Sequence, residues 1–158
     1  MTVTWAGLIF YLSTAGFGAS FTAWLLYQIL QLLKVSVSPH TFDVLHLCLR
    51  KLAHMTEYGI FSLLIYASSL DAVDFEWRPR LALRGIVIAG LYSLSDEYHQ
   101  SFVPGRTPSI LDSGIDTVGA SLATLVVLGW DRWCQTIRSR KAALAESKAP
   151  AAKGAAGL

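Results

Sequence analysis

Three short polar islands in this sequence carry residues able to do chemistry. The first is Arg50-Lys51-Leu52-Ala53-His54-Met55-Thr56-Glu57-Tyr58, and the second is Ser95-Asp96-Glu97-Tyr98-His99-Gln100. The third is Pro104-Gly105-Arg106, followed by Asp112 and Asp116. His54, Glu57 and Glu97 are the candidates for moving protons, because an imidazole and two carboxyls suffice for general acid–base work. Arg50, Lys51 and Arg106 are candidates for holding a phosphate or carboxylate, which the arginine fork suits bidentately. Tyr58, Asp96, Gln100, Asp112 and Asp116 complete the candidate binding set. His54 and Glu57 stand three apart, a spacing that, with Glu97 or His99, also suits a His/carboxylate metal site. The reading assigns no metal and no cofactor, because the di-metal motif runs Glu-x-x-His and occurs here reversed. A third reading is structural: the same groups form a polar network that locks helices together. Ser13 and Ser93 have no base at a fixed spacing and are expected to bond helix backbones rather than act as nucleophiles.

The islands sit at the ends of long apolar runs, where ionisable groups are expensive because lipid cannot solvate them. Hydrophobic residues make up 53% of the 158 and charged residues 15%. Soluble domains carry roughly 25% charged residues. The expected fold class is therefore all-α, a polytopic membrane helical bundle of about four transmembrane helices plus an interfacial helix. Residues 1–131 form the transmembrane domain, and 132–158 form a basic, partly disordered tail. Net charge is +2 and no basic stripe with interleaved aromatics occurs, which excludes nucleic acid as a partner.

The first span is read over Val3–Phe21, weakened by Gly16 and Gly18. An interfacial helix over Thr22–Lys34 follows, with Gln28 and Gln31 on one side and Trp24, Leu25 and Leu32 on the other. Thr41 or Asp43 is expected to cap a helix reaching Arg50. The second span is Leu52–Leu70, the third starts at Leu81 or Gly85 and ends near Phe102, and the fourth is Ile110–Trp130. Ala149–Leu158 reads as disordered. Cys48 and Cys134 fall near opposite faces and are expected to stay free thiols.

Nine of the 13 basic residues fall in the loop after span two and in the tail. Cytoplasmic segments carry that excess, so both termini are expected inside. The three polar islands then share the outer face. Along a helix, Arg50, His54, Glu57 and Tyr58 lie on one face, as do Asp112, Asp116, Gly119 and Ala123. Glu97 lies about 100° round from Asp96, so the two carboxylates need not point together. The small residues Gly119 and Ala123 would let a neighbouring helix come close. Arg50, Lys51 and Arg106 oppose the charge rule and are expected to have carboxylate partners.

On these residues the chain resembles the VanZ-like family of small polytopic bacterial membrane proteins. The shared pattern is Arg50-Lys51-x-x-His54-x-x-Glu57-Tyr58, then Asp96-Glu97-x-x-Gln100, Pro104-Gly105-Arg106, Asp112 and Gly119. Phe10-Tyr11-Leu12-Ser13 is similar to the family's first span. The chain departs at Asp116, where the family more often has Asn. The resemblance implies a place in the bacterial cytoplasmic membrane and a role at the cell surface. The family's namesake is linked to resistance to the glycopeptide teicoplanin, and no reaction is implied. The resulting expectation is an outer-face pocket for an anionic head group, with membrane lipids, a lipid-linked cell-wall precursor or a glycopeptide-like molecule as partner. The alternatives are a hydrolase or transferase acting on a lipid head group, and a purely structural scaffold.

Overall fold

The computed structural model describes residues 1–70, 77–104 and 108–154. Among them the chain is all-α: α1 (Thr2–Leu12), a 3-10 turn (Ala15–Phe17), α2 (Ala19–Leu32), α3 (Pro39–Ser68), α4 (Pro79–Gln100) and α5 (Ile110–Gly154). The chain divides into two compact units, Met1–Thr124 and Leu125–Leu158. Every described site residue falls in the first.

The first apolar run does not form one helix. It ends at Leu12, and the chain turns through Ala15–Phe17 before α2 begins. Eleven residues extend about 16 Å, half of a hydrocarbon core. Gly16 and Gly18, two of the three glycines in the run, lie close together where it breaks, whereas the lone Gly7 is carried inside α1. Conversely, the capped helix to Arg50 and the span from Leu52 are a single 30-residue helix, α3. Its cap is Ser38, not Thr41 or Asp43: the Thr41 amide donates to the Ser38 Oγ at 3.2 Å, and Pro39 opens the helix. Pro79 opens α4, two residues before the expected start. α5 starts at Ile110, as read from the sequence, and continues as helix to Gly154, past the Ala149 boundary. α5 alone among the described helices is both long and apolar enough to cross a membrane by length and composition.

Small residues set the helix spacing in the first unit. A Cβ on Gly119 of α5 would lie 2.4 Å from the Met55 carbonyl oxygen of α3. One on Gly85 of α4 would lie 2.7 Å from the Ser62 carbonyl oxygen of α3, and one on Gly90 would lie 3.0 Å from Thr117 Oγ1 of α5. No larger residue fits those crossings without moving a backbone or a packed side chain. Between them lies a core of Ile9, Tyr58, Phe61, Ile65, Ala89 and Ala120, drawn from α1, α3, α4 and α5. α1 runs antiparallel to α3: Thr2 Oγ1 donates to the Leu64 carbonyl at 3.4 Å and the Trp5 indole to the Glu57 carbonyl at 3.0 Å. Tyr92 of α4 donates to the Ala6 carbonyl at 2.8 Å.

α4 is built the reverse of a water-soluble helix. Leu83, Val87, Leu91, Leu94 and Tyr98 step along its exposed face, over about 22 Å. Its buried face carries small and polar residues: Ala82, Gly85, Ala89, Ser93, Asp96, Glu97 and Gln100.

Candidate functional site

Four elements bring the polar islands together. α3 contributes Arg50, Lys51, His54, Glu57 and Tyr58. The last turns of α4 carry Asp96, Glu97 and Gln100, the first turns of α5 carry Asp112 and Asp116, and Ser13 is the C-cap of α1. Arg106 lies outside the described residues.

Each buried carboxylate is engaged inside the protein, as buried charge requires. Asp96, 5% exposed, accepts from Ser13 Oγ at 2.7 Å and from Gln100 Nε2 at 2.9 Å. Asp116, 1% exposed, accepts from Ser93 Oγ at 2.5 Å on one oxygen. Its other oxygen lies 3.6 Å from His54 Nδ1, close enough for charge pairing but not for a hydrogen bond. Glu97 accepts the Ser109 amide at 2.7 Å, which ties the end of α4 to the residue before α5. Asp112 pairs with Lys51. Tyr58 is fully buried beside Ser93 and Asp96, with no hydrogen bond of ordinary geometry at its hydroxyl.

Asp96 and Glu97 therefore face different elements, as their angular offset implied. The two serines act differently from expectation: Ser13 and Ser93 donate to carboxylates, not to backbone carbonyls. Each serine stands in an apolar run where a buried hydroxyl needs a partner, but nothing in the sequence pairs it with a particular carboxylate. His99 packs against Phe10, with ring centroids 4.4 Å apart and planes inclined by 32°, and so belongs to the α1–α4 contact rather than to the cluster around His54.

Two cavities flank the polar face of α3. One of about 140 Å³ lies against the end of α1 and start of α2, lined by Ser13, Phe17, Thr22, Arg50, His54 and Glu57 among others. The other, about 310 Å³, lies against the start of α5, lined by Arg50, Lys51, His54, Pro108, Ser109 and Asp112 with Leu47. Arg50 and His54 line both. Of the basic residues expected to have carboxylate partners, Lys51 has one. Arg50, half-buried, makes no ion pair or hydrogen bond among the described residues. Glu97 lines neither cavity. No group of three or more His, Cys, Asp or Glu side chains able to hold a metal ion occurs among the described residues.

The arrangement can therefore do two things. It can present a guanidinium and an imidazole to an anion entering either cavity. It can also hold the His54 imidazole in a fixed place beside the Asp116 carboxylate. No curated protein and no solved structure matches the chain. The family model described as VanZ/LLP1 matches residues 1–131, the stretch that contains all four site-forming elements through the first half of α5, and the chain thus belongs to the VanZ/LLP1 family.

Proposed function

We propose that this chain is a multi-pass protein of the bacterial cytoplasmic membrane that binds an anionic head group at the outer face. The head group belongs to a cell-envelope lipid, such as a lipid-linked cell-wall precursor, or to a glycopeptide-like molecule. In this reading α3, α4 and α5 cross the bilayer in alternating directions. α1 and the turn after it make a short first crossing, α2 lies at the outer interface, and both termini are cytoplasmic. The reversed faces of α4 support embedding in lipid, and the charge asymmetry supports the orientation. The observation that carries the binding reading is Arg50. Asp96, Asp116, Glu97 and Asp112 are engaged by Ser13, Gln100, Ser93, Ser109 and Lys51, and the half-buried Arg50 guanidinium, without an ion pair or hydrogen bond among the described residues, lines two cavities, one of them shared with Glu57. A burial of that kind is costly without an anion to meet it. Through its family the binding role extends to glycopeptide resistance of the teicoplanin type.

The test is native mass spectrometry of purified protein. Arg50→Ala, with the thermal transition retained, is expected to lose co-purified anionic lipid, as is Arg106→Ala. Unchanged lipid in both variants would refute the reading. A second reading, hydrolysis or transfer at the head group, is favoured by one contact: Asp116 behind His54, itself held by Ser93. It requires that His54→Asn or Glu57→Gln stop turnover of a bound lipid while leaving its retention intact.

A further inference from the structure

The seam between α1 and α3 changes character along its length. At one end Met1, the N-cap of α1, and Thr4, Trp5 and Leu8 of α1 face Ile60 and Leu64 of α3 around an apolar cleft of about 410 Å³. At the other end Leu12 and Ser13 face Ala53, Glu57, His54 and Arg50 around the smaller polar cavity. The α1 residues fall at helical steps of three and four, and so do the α3 residues read backwards from Leu64 through Ile60, Glu57 and Ala53 to Arg50. The two clefts are thus successive stretches of one antiparallel seam. They meet where the Trp5 indole donates to the Glu57 carbonyl. From Arg50 to Leu64 the seam extends about 21 Å, the length of a long acyl chain and within one half-to-whole hydrocarbon core. Leu8 and Ile60 are more than a third exposed at the open side of the cleft.

We propose that the occupant of this seam is one hydrocarbon chain of an anionic lipid, its head group against Arg50 and His54 and its chain between Leu8, Ile60 and Leu64. The inference rests on the head-group reading above and narrows it: the ligand is an amphiphile held by both ends, not a water-soluble glycopeptide. The polar cavity fixes the charge, and the apolar cleft supplies the surface that an acyl chain would otherwise leave in bulk lipid. An anionic head group alone would have no use for an apolar cleft on the same seam. None of the side chains that line the cleft is charged, which suits a hydrocarbon chain.

The experiment uses the full chain in detergent with a palmitoyl lysophosphatidylglycerol that bears a photoreactive diazirine midway along its chain. Cross-linked peptides are mapped for the wild type, Arg50→Ala, Leu8→Trp and Ile60→Trp. The expected result is cross-linking concentrated at residues 4–8 and 60–64. It should fall at least roughly tenfold in Arg50→Ala, and likewise in either tryptophan variant, whose ring fills the cleft from one side. The two variants approach from different helices, so a folding failure in one leaves the other, and the wild-type map needs neither. If Arg50→Ala abolishes retention while wild-type cross-links scatter along the exposed face of α4, the seam is overturned and the head-group site survives. If Arg50→Ala changes neither retention nor cross-linking, the head-group reading falls and takes the seam with it.

Discussion

Two glycines in α5, five residues apart, should respond in opposite ways to the same substitution. At Gly119 the added methyl would sit 2.4 Å from the Met55 carbonyl oxygen and 2.6 Å from the Met55 Cα. Both atoms belong to the α3 backbone, so no rotamer change relieves the overlap. Contact beyond 3.0 Å requires the two helices to part by at least about 0.6 Å where they cross. His54 precedes Met55, and Asp116 lies one turn before Gly119, so the separation also opens the His54–Asp116 pair. Overpacking of this kind costs about 1–3 kcal/mol. For a chain of this size that corresponds to a fall of roughly 2–12 °C in the thermal transition. At Gly114 nothing lies within 4 Å of the added methyl. Alanine is there the better helix former by up to about 1 kcal/mol, so Gly114→Ala should leave the transition unchanged or raise it. The assay is thermal unfolding of both variants in one detergent, followed by lipid retention. Equal transitions for Gly119→Ala and wild type would refute the claim that the α3–α5 crossing is held at backbone contact.

The remaining predictions concern the polar groups. Asp116→Ala leaves Ser93 and His54 without their shared partner and should cost about 1–3 kcal/mol, read as a lower unfolding midpoint. Asp116→Asn keeps an acceptor for Ser93, and its midpoint should lie nearer wild type. Glu97→Gln can still accept the Ser109 amide, so both stability and lipid retention should persist, whereas Glu97→Ala should lower the midpoint. Loss of lipid in Glu97→Gln with the fold intact would instead place this residue in the binding site. A double-mutant cycle on Lys51 and Asp112, which are 30% and 24% exposed, should give less than about 1 kcal/mol of coupling. In the proposed topology a membrane-impermeant maleimide applied to intact spheroplasts labels Cys48 and not Cys134; the opposite pattern would invert the orientation.

The convergence of the polar islands was legible in the sequence, because charge in an apolar run has few explanations. Arg50, His54 and Glu57 recur at helical steps, and in the structure they line one cavity. Gly119 and Ala123 signalled a close crossing, and a Cβ at Gly59 of α3 would meet Ala123 at 3.3 Å. What sequence could not supply was the identity of each partner. Asp96 and Asp116 needed donors, yet Ser13 and Ser93 are 83 and 23 residues away from them in the chain, and no spacing rule links them. The boundary errors have a different cause. A bilayer-length window predicts spans of about 20 residues. α3 instead continues through its own polar island, because charged residues such as Arg50 and Lys51 are good helix formers and nothing between Pro39 and Ser68 interrupts the helix. α1 stops short, because Gly16 and Gly18 fall where the chain must turn.

If Arg50 holds an anionic head group, the protein must discriminate lipids by head-group charge. Wild-type protein and Arg50→Ala are each titrated with phosphatidylglycerol and with phosphatidylcholine of the same chains, and bound lipid is counted by native mass spectrometry. The wild type should retain phosphatidylglycerol in clear excess, and Arg50→Ala should retain both lipids alike. Equal retention of the two lipids by the wild type would contradict an anionic head-group site at Arg50.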